Sequence, residues 1–269
     1  MNNHGQLGTG DTTSSNVPRA VVGGHTFDSI AAGYYHACGI TSSGDAYCWG
    51  ENGAGQLGTG AFTSTSTPGQ VAIASPLVQI TAGNNHSCGL ARTHALYCWG
   101  LNASGQLGDG TNTNASTPVA IGTPNAVTSL ATGGSHTCVV TDRRETYCWG
   151  ANNSGQLGIA SSGNQNAPQR VAGTQAFTSI AAGYFHTCAI ATNDRVSCWG
   201  SNTQGQLGTG DNGDRLVPTD TGTPLELASL ILGPGSNSSY GFSAQAASGD
   251  QVPTAPMQQF ARAEQQACD

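Results

Sequence analysis

The chain has 269 residues, only 9% of them charged, with 39 glycines and a formal net charge of -7. The charged share is far below the usual quarter, all eight basic residues are arginines scattered from Arg19 to Arg262, and no basic stripe exists to neutralise phosphates, which excludes a nucleic-acid partner. No stretch approaches the roughly 18–20 apolar residues of a membrane span.

In chain order, Met1 runs straight into Asn2-Asn3-His4-Gly5-Gln6-Leu7-Gly8, the middle of a unit that then returns. Cys-Trp-Gly-x-Asn-x-x-Gly-Gln-Leu-Gly recurs every 50 residues, marked by Trp49, Trp99, Trp149 and Trp199. Taking residues 68–117 as one unit, Pro68–Ile73 is predicted as an opening edge strand, with its proline where no ladder donor is needed. Leu77–Gly83 is predicted as the second strand, His86–Leu90 as the third and Ala95–Gly100 as the fourth, with Asn102–Thr117 a long loop to the next unit. No segment carries a helical period. Four short strands per unit predict an all-β fold, a β-propeller of four-stranded antiparallel blades with about five 50-residue repeats, as a closed or an incomplete ring. The propeller is expected to fill 1–242, with units near 1–46, 47–96, 97–146, 147–196 and 197–242. The last is degenerate: Leu230–Gly233 fits a second strand, but Ser236 and Ser238 stand where His and Cys are expected. Residues 243–269 are expected to be a flexible tail.

Residues that recur in every unit are read as scaffold. The Leu between the two glycines of Gly-Gln-Leu-Gly is expected to plug the seam between blades. Each Trp is expected to fill the same seam, its indole N–H on a backbone acceptor. His36, His86, His136 and His186 stand at one place in each unit, with no Ser or Asp recurring at a defined spacing to make a nucleophile. They are expected to hydrogen-bond backbone of their own or the adjacent blade.

The pattern Gly-x-x-His-(Ser/Thr/Ala)-Cys followed by Tyr-Cys-Trp-Gly-x-Asn-x-x-Gly-Gln-Leu-Gly resembles the regulator of chromosome condensation repeat over about residues 2–225. The resemblance is at the level of the repeat. It implies a propeller that makes protein contacts. Ultraviolet-B receptor members of that family place Trp after the Gly of Gly-x-x-His; here the place holds Tyr34, Asn84, Gly134 and Tyr184, so light sensing is not implied. Exchange-factor members act through an inserted wedge, for which the constant spacing leaves no room.

Eight of the nine cysteines form four copies of one spacing: Cys38/Cys48, Cys88/Cys98, Cys138/Cys148 and Cys188/Cys198. Each pair is centred on a turn, as at Thr41–Asp45, so its members face each other across a hairpin within the roughly 4.4–6.8 Å Cα separation that a disulfide accepts. Four intra-blade disulfides are predicted. Reduced, buried thiols and a His36/Cys38/Cys48 zinc site are the competing readings, the latter one ligand short of the usual four. Disulfides imply an oxidising compartment: extracellular or cell envelope, with a signal expected upstream of Met1. Cys268 is left over in the tail, either as a free thiol or for intermolecular contact.

Function is expected where the units differ. The positions after the fixed Gly (Tyr34, Tyr35, Asn84, Asn85, Ser135, Tyr184 and Phe185, beside Gly134) are expected to lie on one rim, where aromatic side chains make contact anchors. The variable loops Asp11–Val17, Ala61–Thr67, Thr111–Thr117, Ile159–Ala167 and Asp211–Val217 are the second set. No enzyme motif, paired carboxylate or calcium pattern is present, so no enzyme, cofactor or metal is expected. The expected function is a secreted or envelope module that binds a protein or glycan through one rim. The alternatives are a structural spacer or adhesin segment of a larger surface protein, and an intracellular regulator of the exchange-factor kind.

Overall fold

The computed structural model describes residues 1–224, and they form four antiparallel four-stranded sheets. The first contains β1 (Phe27–Ala32), β2 (His36–Thr41), β3 (Ala46–Gly50) and β4 (Thr65–Gln70). The second contains β5 (Leu77–Ala82), β6 (His86–Ala91), β7 (Leu96–Gly100) and β8 (Ala115–Ile121). The third contains β9 (Val127–Thr132), β10 (His136–Thr141), β11 (Thr146–Gly150) and β12 (Gln165–Arg170). The fourth contains β13 (Phe177–Ala182), β14 (His186–Ala191), β15 (Arg195–Gly200) and β16 (Arg215–Pro224). Strand order in every sheet follows chain order, the meander of a propeller blade. Among the described residues no helix is long and apolar enough to cross a membrane.

The phase of the blade differs from the sequence reading. Pro68 does not open a sheet; it lies in β4, which pairs back onto β3 through Gly50↔Thr65, Cys48↔Gly69 and Tyr47↔Gln70. The chain leaves β3, makes the Gly-Gln-Leu-Gly loop and returns to the strand it came from. The proline therefore closes a blade at its outer edge, where its missing N–H leaves no gap in the ladder. The expected loop Asn102–Thr117 likewise runs into β8 at Ala115. The unit windows break at 46/47, 96/97, 146/147 and 196/197, inside β3, β7, β11 and β15, so each cuts through a sheet. Leu230–Gly233, Ser236, Ser238, Cys268 and the 243–269 tail lie outside the described residues.

The hairpins β2–β3, β6–β7, β10–β11 and β14–β15 place Cys38 opposite Cys48, Cys88 opposite Cys98, Cys138 opposite Cys148 and Cys188 opposite Cys198. All four pairs are disulfides with Cα atoms 4.1 Å apart. That separation is the close approach of a non-hydrogen-bonded antiparallel pair. With both sulfurs committed to a disulfide, Cys38 and Cys48 are not thiolate ligands, which removes the zinc reading at that blade.

The core lies between sheets. At the first seam Cys38, Cys48, Ile40, Leu57 and Val71 pack against Leu77, Ile80, Ala91 and Trp99 of the second sheet. Leu107 meets Trp149 in the second seam, and Leu157 meets Trp199 in the third. The first three disulfides thus fill seams as well as stapling hairpins, and all eight disulfide cysteines are fully buried.

Candidate functional site

The recurring polar residues build a relay across each seam. His36 at the start of β2 places Nε2 2.9 Å from the Ser87 hydroxyl of the next sheet. Ser87 donates its one proton to the Gln56 carbonyl at 2.9 Å, so its oxygen accepts from His36 Nε2–H. Trp99 Nε1–H donates to the same carbonyl at 2.9 Å. The second seam repeats this with His86, Thr137 (3.1 Å), Gln106 and Trp149. The third uses His136, Thr187 (2.9 Å), Gln156 and Trp199. The sequence reading gave the four histidines a backbone acceptor; the structure gives His36, His86 and His136 a side-chain hydroxyl of the neighbouring sheet, which passes the bond on to backbone.

This fixes each ring as a neutral imidazole protonated on Nε2. Nδ1 of His36, His86 and His136 is buried without a partner. Burial pushes the histidine pKa values down, to about 4 for His36 and His186 and about 3 for His86 and His136, with neighbouring histidines lowering His86 and His136 further. The rings sit against a bare backbone: a Cβ on Gly133 would lie 2.1 Å from His136 Cε1 and 2.5 Å from the Gly183 carbonyl, so only glycine lets the inner ends of two sheets come this close.

Replacing Thr137 by Val is expected to cost about 1–3 kcal/mol, because it leaves the His86 Nε2–H buried with no acceptor. Thr137→Ser keeps both bonds and is expected to retain most of the stability. Denaturant midpoints of the two variants are the check; equal losses would show that the methyl group, not the hydroxyl, matters.

A second recurring element escaped the sequence reading. The Asn of Trp-Gly-x-Asn is fully buried at Asn52, Asn102, Asn152 and Asn202, as is Asn2 at the equivalent place before the first Gly-Gln-Leu-Gly. Asn52 Nδ2 donates to the carbonyls of Ala61 and Thr63 at 2.9 and 3.1 Å, while Oδ1 accepts Leu57 N–H at 2.9 Å. One amide therefore pins both limbs of the long loop. Its recurrence after each Trp-Gly was the available signal. Loop carboxylates are similarly engaged: Asp11 accepts Thr13 N–H, Asp109 accepts Asn102 Nδ2–H, and Asp211 accepts Gly213 N–H.

The variable positions fall in the turns between the first two strands of each sheet. Asn84 N–H donates to Gly134 O at 3.1 Å and Gly134 N–H to Tyr184 O at 3.2 Å, so the turns of the second, third and fourth sheets stand side by side. Tyr34 and Tyr35 form an edge-to-face pair with centroids 4.3 Å apart, and Tyr184 and Phe185 form another at 4.3 Å. The exposed ring is Tyr34 in one pair and Phe185 in the other. His4 packs on Tyr35 at 4.5 Å and lies 4.0 Å from the Glu51 carboxylate. Asn84, Asn85 and Ser135, between the aromatic pairs in sequence, are half-buried. These turns and the seam relays belong to the same strand ends, since each relay histidine directly follows its turn.

Four-stranded antiparallel meanders joined side by side through buried seams define a β-propeller repeat protein. The chain belongs to the RCC1-like domain family, whose model matches residues 1–242. The fold is also that of human WBSCR16, with a TM-score of 0.78 at 21% identity, over 87% of this chain and 64% of that one. Prp20p from Saccharomyces cerevisiae, described with its binding to Gsp1p and histones, gives a TM-score of 0.71 at 22% identity, over 80% and 55%. Yeast RCC1 (Prp20) bound to Kap60 gives 0.67 at 23%, over 76% and 50%. The chain spans about half to two thirds of these structures. No curated protein matches it.

Proposed function

We propose that the chain is a binding module of an oxidising compartment, secreted or attached to the cell envelope, which recognises a protein or a glycan through the rim that carries Tyr34, Tyr35, Tyr184 and Phe185. It acts by binding, with no catalytic step. The observation that carries this reading is the pair of edge-to-face aromatic couples on turns held by the rigid seams, each with one ring exposed to solvent. Aromatic anchors fixed on a stiff frame make contact area at little entropic cost. Four disulfides support the compartment, because such bonds persist where the redox potential is oxidising. Protein partners in the structural relatives, Gsp1p and histones for Prp20p, support a binding role of the general kind.

The test compares the native chain with Tyr34→Ala/Phe185→Ala for retention of a ligand from the surrounding medium or cell surface. The double variant is expected to keep the wild-type unfolding midpoint and to lose at least tenfold in affinity, about 1.4 kcal/mol or more. Undiminished retention by the variant would leave the rim without a role and favour the spacer reading.

A further inference from the structure

The four sheets offer the same set of places on the rim, and only the first fills them with ionisable side chains. Its turn holds Tyr34 and Tyr35, and the residue that follows β3 is Glu51, whose N–H donates to Tyr35 O at 2.9 Å. The first Gly-Gln-Leu-Gly loop packs on Gly50 through Gln6 and brings His4 onto Tyr35. The same backbone bond joins Leu101 to Asn85, Ala151 to Ser135 and Ser201 to Phe185, so these residues hold the place of Glu51 in the other sheets. The place of His4 is held there by Ala54, Ser104 and Ser154. The Tyr184–Phe185 couple thus has its rings without a carboxylate beside them.

The Glu51 charge is not balanced. Among the described residues its carboxylate accepts no hydrogen bond and meets no arginine. Its one ion-pair neighbour is His4 Nδ1, at 4.0 Å, and its side chain is 30% exposed. Hydrogen bonding to Tyr34, partial desolvation and the charges of Tyr34 and Glu51 raise the Tyr35 phenol above its ordinary pKa, so the carboxylate lies within electrostatic reach of the aromatic couple. The two rings stand at 75° and present two faces, with Tyr34 43% exposed. A ring face is the negative side of the aromatic quadrupole, and a cation within about 6 Å of the centroid is drawn to it. Two such faces and a carboxylate make a site of one sign, on a chain whose net charge is -7.

The unmet carboxylate oxygens decide between cations. A quaternary ammonium has no N–H to donate to them. A primary ammonium donates, but as a compact and strongly hydrated point charge. A guanidinium lies flat on an aromatic face and donates two parallel N–H bonds to a carboxylate.

We propose that Tyr34, Tyr35 and Glu51 form a subsite for an arginine side chain of a protein partner, with the guanidinium lying on the aromatic couple and donating to the Glu51 carboxylate. The subsite rests on the rim reading above and narrows its ligand to a protein that presents arginine.

A titration followed by NMR tests this with acetyl-Gly-Arg-Gly amide, its lysine counterpart and its citrulline counterpart, in which an uncharged urea replaces the guanidinium. The arginine peptide is expected to shift the Tyr34 and Tyr35 ring signals saturably, and the other two to bind more weakly, citrulline by about threefold or more. Glu51→Gln is expected to remove the preference for arginine over citrulline. Tyr34→Ala is expected to weaken the arginine peptide by about threefold or more. Both side chains are at the surface, so both variants are expected to keep the native unfolding midpoint. A lysine or citrulline peptide that binds as well as the arginine peptide, a preference that survives Glu51→Gln, or no saturable shift would each overturn the proposal. In the retention assay described above, Glu51→Gln is expected to lose about threefold in affinity. Full retention by Glu51→Gln beside a loss in Tyr34→Ala/Phe185→Ala would overturn the arginine subsite and leave the rim reading standing.

Discussion

Acidification from pH 7 to pH 5 is expected to remove about 2 kcal/mol of stability for each fully buried seam histidine, and about 6 kcal/mol for His36, His86 and His136 together. Their folded pKa values, about 4, 3 and 3, lie below the unfolded value of 6.5. Between those limits the unfolded chain binds the extra protons, so stability is complete above 6.5 and is lost as the pH falls toward 4. The cause is geometric. Each imidazole is neutral because its one N–H is already placed on a hydroxyl and its other nitrogen is buried where no acceptor waits for a second proton. His186, lowered by burial to about 4 like His36, adds a similar amount. The carboxylates whose pKa is lowered, Asp11, Asp211 and Asp220, titrate below the histidine window and do not mask it. Guanidinium unfolding at pH 7, 6 and 5 is the measurement. A midpoint that falls steeply, with a shallower fall in His86→Gln, is the expected result. A midpoint constant across this range would mean that the relay histidines are solvated.

Reduction of the disulfides carries the second large effect. Each bond closes a separation of 10 residues. The chain-entropy relation gives an upper limit of roughly 2–3 kcal/mol per loop, and the hairpin register already holds the ends together, so the realised value is lower. Four such bonds still make a large fraction of the 5–15 kcal/mol typical of a folded domain. The sulfurs are buried in the seams, so reductant reaches them through opening of the blades. Slow reduction under native conditions is expected, with fast reduction in denaturant. A fully reduced and alkylated chain is expected to unfold at a clearly lower denaturant concentration. The Cys138→Ala/Cys148→Ala variant is expected to show one bond's share of the loss. An unchanged midpoint after reduction would show that packing alone holds the blades.

Much of the fold was legible because the repeat prints the same chemistry four times. The position of Cys38 and Cys48 about the turn at Ser43 was enough to oppose them, since an antiparallel hairpin fixes its own register. The phase of the blade was not legible from Pro68. A proline suits an outer edge at the beginning or the end of a sheet equally well, and only the return of β4 onto β3 decides between them. The histidine partner was hidden for a different reason. Ser87, Thr137 and Thr187 follow His86, His136 and His186 directly in sequence, yet each serves the histidine of the preceding sheet, 51 residues away. The clue was a hydroxyl in three of the four His-x-Cys motifs, with Ala37 in the fourth. The buried Asn of Trp-Gly-x-Asn was passed over because asparagine in a Gly-rich loop reads as turn chemistry, while its amide in fact ties two loop limbs together.

The state of the cysteines joins fold, compartment and function, and a thiol count reads it directly. The chain is taken from its own cells with alkylation at lysis, then denatured without reductant. At most one of the nine cysteines is expected to react. Nine reactive thiols would contradict the stapled blades and, with them, the assignment to an oxidising compartment.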